Sequence, residues 1–175
     1  AELDSSNNLL RSYMWGSDVS GSLQGAGGVG GLLKVTRHSP SVIHSFVAYD
    51  GNGNVTALID AANGAATTWY EYGPFGESIR SSGTLAATNP FRWSTKYWDD
   101  ESDFAYYGDR YYNSSTGRWL NRDLIGEKGG INLYCFTQNA AIARLDLLGR
   151  ESVEVRQIWD LFIAPISLPP MAVLQ

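Results

Sequence analysis

The sequence is poor in cysteine, histidine and charge. One cysteine, Cys135, stands in 175 residues. That excludes an internal disulfide framework and a cysteine-cluster metal site. The two histidines, His38 and His44, have no carboxylate partner set by their spacing and read as surface or edge-strand residues. Lysine and arginine number 13 against 18 acidic residues, for a net charge of −5. No basic face is available for phosphates, so nucleic acid is not an expected partner. Long apolar runs are missing too. The most apolar stretch, QIWDLFIAPISLPPMAVLQ, contains Asp160 and is broken by Pro165, Pro169 and Pro170, so no membrane span is expected. No charged segment followed by an apolar one comes after Ala1, so no signal peptide is expected, and a start without Met suits the tail piece of a larger protein. No nucleophile elbow is present. No cofactor or metal is implied.

Helical periodicity is equally scarce. Glycine punctuates the chain at short intervals, which favours short strands joined by turns. Aromatic residues, by contrast, are dense. Of 22 Phe, Trp and Tyr residues, 16 lie between Trp69 and Phe136, and burial should concentrate there. The clearest unit pairs Val55–Ile59 (VTALI) with Thr67–Tyr72 (TTWYEY) across Asn63-Gly64, a strong hairpin signal. The unit recurs. Tyr49-Asp50-Gly51-Asn52-Gly53-Asn54-Val55 has a weaker copy in Tyr72-Gly73-Pro74-Phe75-Gly76-Glu77-Ser78 and a looser one in Trp15–Leu23. In each, an aromatic ends one strand and a glycine supplies positive φ in the turn. Repeated hairpins of this kind stack and bury a shared aromatic face.

Gly25, Gly27 and Gly30 in QGAGGVGGLL match the dinucleotide fingerprint G-x-G-x-x-G. That fingerprint needs a buried strand before it and a helix after it. The flanks SGSLQ and LLKVTRHSPS supply neither, so the loop reads as a mobile or bulged connection between strands. From Asn89 onward two aromatic-rich strands are expected, Phe91–Trp98 and Phe104–Tyr112, joined by the acidic tip Asp99–Asp103. Arg92, Arg110 and Arg118 should stack on or pair beside aromatics. Cys135, in INLYCF, reads as a small core residue.

These blocks resemble a known family. Tyr49–Val55, with Tyr49, Asp50 and Gly53 echoed by Tyr72 and Gly76, resembles the YD repeat. YEYGPFGE, NPFRWSTKYWDDES, YYGDRYYNSSTGRWLNRDLIG, GGINLYCF and LDLLG together resemble the Rhs repeat-associated core domain. The resemblance implies a mainly β, antiparallel fold: hairpins forming the end of a spiral shell, with a short irregular or helical C-terminal plug. It divides the chain into a repeat segment, 1–88, a core domain, 89–150, and a variable tail, 151–175. In the family the shell encloses a C-terminal toxin, and teneurins carry a similar shell on animal cells. The implied partners are the rest of the same shell and the enclosed toxin. The implied setting is bacterial, secreted or associated with the cell envelope.

The family also implies an aspartyl self-cleavage at the end of the core. Its two Asp-Pro-x-Gly blocks match Asp123-Leu124-Ile125-Gly126 and Asp146-Leu147-Leu148-Gly149. Asp123 and Asp146 would be the catalytic pair, and Arg150–Glu151 the bond cut. Two carboxylates in one dry pocket cannot both ionise, so one could act as base on a water and the other as acid. The chain departs from the pattern. Leucine replaces both prolines (Leu124, Leu147), Ser114 and Ala141 stand where the family has proline, and Arg150 where it has leucine. The residues also allow a plainer reading, in which each aspartate caps its own backbone in a turn. Two other functions stay open: a surface module whose exposed Trp and Tyr bind a glycan or a protein, and an inactive copy. SVEVR in the tail alternates and suits one further strand. A piece of a spiral sheet exposes unpaired edges. The isolated chain is therefore expected to be marginally stable or aggregation-prone, and a sharp monomeric melting transition would contradict that.

Overall fold

A computed structural model describes residues 1–154. Its regular structure is thirteen strands and three short 3-10 turns, and the fold is mainly β and antiparallel throughout. β1 (Glu2–Leu3), β2 (Leu9–Trp15), β3 (Leu32–Arg37), β4 (Ile43–Tyr49), β5 (Val55–Asp60), β6 (Ala66–Tyr72) and β7 (Ser78–Gly83) form one seven-stranded sheet in chain order. β8 (Tyr97–Asp99), β9 (Phe104–Tyr106), β10 (Tyr111–Asn113) and β11 (Arg118–Trp119) form a second, and β12 (Arg144–Asp146) pairs with β13 (Ser152–Glu154). The alternation expected in the tail thus gives a strand at Ser152–Glu154; the rest of the tail lies outside the described residues.

Register explains the faces of the large sheet. Val47, Leu58 and Thr68 stand opposite one another across β4, β5 and β6, and Leu58 and Thr68 are fully buried. One residue on, Ala48, Ala57, Trp69 and Ser82 form the next row, and Trp69 is exposed. This period of two is what a half-buried strand requires. The chain after β7 folds back over the inner face. Leu85 and Ala86 join its core, Leu85 N–H donates to Thr68 Oγ1 and the Tyr70 hydroxyl to Ala86 O. β7 itself is exposed along its whole length and sits at the sheet edge.

One turn design joins many of these strands. At Asp4–Asn8, Asp18–Ser22, Asp50–Asn54 and Gly73–Glu77, the first N–H donates to the fifth carbonyl and the fourth N–H to the first. The fourth residue has positive φ: Asn7, Gly21, Gly53 and Gly76. The repeats at Tyr49, Tyr72 and Trp15 are therefore one structural turn, with a fourth copy at Asp4 that the sequence pattern did not reveal. The Asn63-Gly64 hairpin forms, but as a longer loop. Asp60 N–H donates to Ala65 O and Gly64 N–H to Asp60 O, so Asn-Gly does not make the two-residue turn.

The expected strand Phe91–Trp98 is interrupted. Only Phe91 bridges to Tyr97, and Trp93–Thr95 form a tight turn in which Ser94 and Thr95 have positive φ. Long-range bonds hold that shape: Ser94 N–H donates to Asn54 Oδ1 at 2.7 Å and Thr95 Oγ1 to Gly53 O at 2.7 Å. Phe104–Tyr112 is likewise two strands, split at Gly108, whose φ is +111°. Around them Trp93, Trp98, Tyr107, Tyr112, Trp119 and Phe136 pack into an aromatic core. Tyr112 stacks on Phe136 with centroids 3.9 Å apart. Arg92 lies beside Tyr70 and Trp98, and Arg110 over Trp119, as expected; Arg118 is exposed and makes no such stack among the described residues. His44 is exposed, as a surface residue should be, but it stands on β4, a central rather than an edge strand.

Gly76 and Gly64 separate two demands on glycine. Both need positive φ, but a Cβ on Gly76 would sit 2.6 Å from the Trp93 ring, whereas one on Gly64 would meet nothing within 4 Å. Gly64→Ala should cost about 1 kcal/mol from backbone strain alone. Gly76→Ala should cost about 2 kcal/mol more through overpacking. Urea unfolding of the two variants checks this, and equal losses would refute it.

Candidate functional site

Asp123 and Asp146 are brought together, and they meet on a cation. Asp123 lies in the loop after β11, and Asp146 ends β12. Between them is Arg110, on the turn joining β9 and β10. Its side chain is 2 % exposed, against 9 % and 3 % for the aspartates. One guanidinium nitrogen, Nη2, is 3.0 Å from Asp123 Oδ2 and 3.6 Å from Asp146 Oδ2. Nε donates to Gly149 O, and the guanidinium lies 4.2 Å above the Trp119 ring. Arg110 was legible in the sequence only as a partner for aromatics. Its place between two carboxylates, 13 and 36 positions away, is a tertiary fact.

Each aspartate uses its other oxygen on its own backbone. Asp123 Oδ1 accepts from Ile125 N–H at 2.9 Å. Asp146 Oδ1 accepts from Leu148, Gly149 and Arg150 N–H at 3.2, 2.6 and 3.0 Å. The plainer reading of turn capping therefore holds for both residues, alongside their shared contact with Arg110. Burial pushes the Asp146 carboxyl up to about 6, although the three amides and Arg110 pull the other way. Arg150 turns outward and forms a two-point ion pair with Asp109, whose Oδ1 is 3.1 Å from Nη2. Its charge is thus paired at the surface, where the family has leucine at this position. Glu151 is exposed.

A second cation reaches the same block. Lys96, 6 % exposed, extends from the strand-like stretch before β8. Its Nζ donates to Leu147 O at 2.6 Å and to Gly27 O at 2.8 Å and lies 5.3 Å from the Tyr107 ring centroid. Desolvation lowers its pKa to about 8, against the opposing pull of Asp146 and Asp18. Nothing in the sequence distinguished this lysine from its neighbours.

The glycine loop now has a role. It is a packed element, not a mobile connection. Asp18 Oδ2 accepts from Ala26 and Gly28 N–H, and Ala26 and Val29 bury against Leu145 beside Leu147 and Val153. Gly30 N–H donates to Thr95 Oγ1 at 2.8 Å. A Cβ on Gly27 would lie 2.3 Å from Leu147 O. Glycine is required for close backbone approach, and no helix follows to receive a phosphate. The motif residues Tyr49, Asp50, Gly53, Tyr72 and Gly76 build turns rather than a site: the Tyr49 hydroxyl donates to Leu32 O and that of Tyr72 to Val55 O. Cys135 is half-buried.

No family model matches the chain. It is similar to the uncharacterized protein YlbH of Escherichia coli K12, at 31% identity over 102 residues, 58% of this chain and 42% of that protein. It is 32% identical over 97 residues to the toxin subunit YenC2 of Yersinia entomophaga, 55% of this chain and 9% of the subunit. In the crystal structure of TcdB2-TccC3 without its hypervariable C-terminal region, 78% of this chain superposes on 6% of that chain, with a TM-score of 0.64 and 25% identity. The matched stretch thus spans under half of YlbH and under a tenth of the toxin proteins. The relatives include bacterial toxin components, and the fold is shared with a toxin complex.

The raised carboxyl of Asp146 makes a signed prediction. A carboxyl raised from 3.8 to about 6 binds more protons folded than unfolded between those values. Its stabilising contribution is complete below pH ~4 and is lost as pH rises through ~6, by about 3 kcal/mol. The stability of the wild type should therefore fall across that window relative to Asp146→Asn, in denaturant titrations at each pH. A difference that does not change with pH would refute the assignment.

Proposed function

We propose that this chain is the C-terminal closing segment of a toxin-associated β-shell of the Rhs type, and that it cuts itself after Arg150. The reading that it encloses a C-terminal toxin rests on the resemblance of its repeats and core blocks. It is supported by the seven-stranded meander and by the likeness to toxin components. The division at 88 and 150, the bacterial secreted setting and the shell and toxin as partners belong to the same proposal. Among the described residues no helix is long and apolar enough to cross a membrane.

One observation carries the cleavage reading: two carboxylates distant in sequence and a buried guanidinium converge on the turn 146–150. That turn immediately precedes the proposed scissile bond. The reaction is hydrolysis. Water adds its hydroxyl to the Arg150 carbonyl carbon, the bond to Glu151 nitrogen breaks, and the water's proton ends on that nitrogen. Asp146, ionised above pH ~6, takes the proton from the attacking water and later returns it to the leaving amine. Arg110 supplies a fixed positive charge for the developing oxyanion, in a site too dry to screen it. Asp123 holds Arg110 from the other side. Side-chain contacts hold Arg150 away from the pair, on Asp109, leaving its backbone to present the bond.

The purified full chain should convert to a product ending at Arg150, read by intact mass under denaturing conditions. Asp146→Asn and Asp123→Asn should remain full length. A wild-type chain that stays intact after days under folding conditions would overturn the cleavage reading. Glycan binding, the competing role, would instead appear as a glycan-dependent change in the fluorescence of exposed Trp15 and Trp69.

A further inference from the structure

The glycine loop and the terminal block lie about 120 positions apart in the chain, yet one ammonium group joins them. Lys96 Nζ bonds the carbonyls of Gly27 and Leu147 at 2.8 and 2.6 Å. Leu147 directly follows Asp146, so fixing its carbonyl fixes the start of the turn that delivers three N–H groups to Asp146 Oδ1. Ala26 and Val29 complete the seat by packing on Leu145. We propose that Lys96 is a positioning residue for the Asp146 turn, clamping the glycine loop onto the terminal block. The clamp is a structural claim in its own right; its effect on cutting rests on the cleavage reading above.

The charged groups around the ammonium are few. Asp146 on β12 and Asp18, which holds the glycine loop, attract its charge, and the Tyr107 ring centroid lies 5.3 Å away. Arg110 also pairs with Asp146. A positive charge coupled to Asp146 favours its carboxylate. A neutral Lys96 keeps two N–H donors for its two carbonyls, so the hydrogen bonds and the charge are separable contributions. Lys96→Met removes both and retains the apolar stem.

Two readouts test this on the full chain. In Lys96→Met, the amides of Ala26, Gly28 and Val29 and those of Leu148, Gly149 and Arg150 should gain hydrogen exchange together, by tenfold or more. The amides of β5 and β6 should be unchanged. The acidic limb of the cleavage rate, near pH 6 in the wild type, should move up by about half a pH unit or more. If Lys96→Met does not fold, Gly27→Ala decides through exchange: its Cβ would clash with Leu147 O and should release the same two sets of amides. Exchange that changes in one set only, in neither, or equally throughout the protein overturns the clamp. An unmoved acidic limb overturns the electrostatic part. A wild-type chain that never cuts would sink the cleavage reading, while exchange would still judge the clamp.

Discussion

An aspartate that accepts the amide two residues ahead is the device on which this structure is built. Oδ1 of Asp4, Asp18, Asp50, Asp60, Asp99, Asp123 and Asp146 each takes the N–H at that offset. The bond satisfies a backbone donor that a tight turn leaves without a strand partner. It also leaves the second carboxylate oxygen free to do something else. At Asp50 that oxygen takes the Asn54 side chain, and at Asp18 it gathers two amides of the glycine loop. At Asp123 and Asp146 it takes Arg110. The same local unit thus makes hairpins in one half of the chain and a charged cluster in the other.

The cluster around Arg110 is costly to bury. Three charges leave water, and attraction offsets that desolvation only when the remaining donors are also satisfied. Arg110 meets the condition broadly: the carbonyls of Gly149 and Leu133 accept from it, Asp123 and Asp146 pair with its charge, and the Trp119 ring lies beneath it. Arg110 alone does not balance the two carboxylates, and the desolvation falls on Asp146, which is raised to about 6. Leucine at 124 and 147, where the resembling family has proline, does not scatter these groups. The turns are held by side-chain and long-range bonds, which replace the φ restriction that proline would have supplied.

Local signals were readable wherever the turn chemistry is local. The hairpin at Val55–Tyr72 and the turn at Asp50–Asn54 follow from glycine, asparagine and β-branched runs, and both formed. The signals failed where distant atoms set the backbone. Ser94 and Thr95 have positive φ because Asn54 and Gly53 hold them, and no propensity at those two positions foretells it. QGAGGVGGLL reads as a loose connection because its partners, Lys96 and Leu147, are far away in the chain. The aspartates were legible as a pair only through a resemblance. As bare residues they match five other turn aspartates, and the feature that sets them apart, Arg110, sits among aromatics that suggest a stacking role. Lys96 gave no signal, since a buried lysine looks like an exposed one until its carbonyl partners are placed.

The terminal block is assembled from parts that no local folding event can unite. Its amides meet Asp146 within one turn, but its orientation depends on Arg110 from the aromatic sheet, Lys96 from the stretch before β8, and the glycine loop between β2 and β3. The loop in turn needs Thr95 and, through it, Gly53 of the β4–β5 turn. Contacts of such long sequence separation form late, because each must close a large loop before it is rewarded. The surroundings of Asp146 are therefore complete only once both sheets are in place.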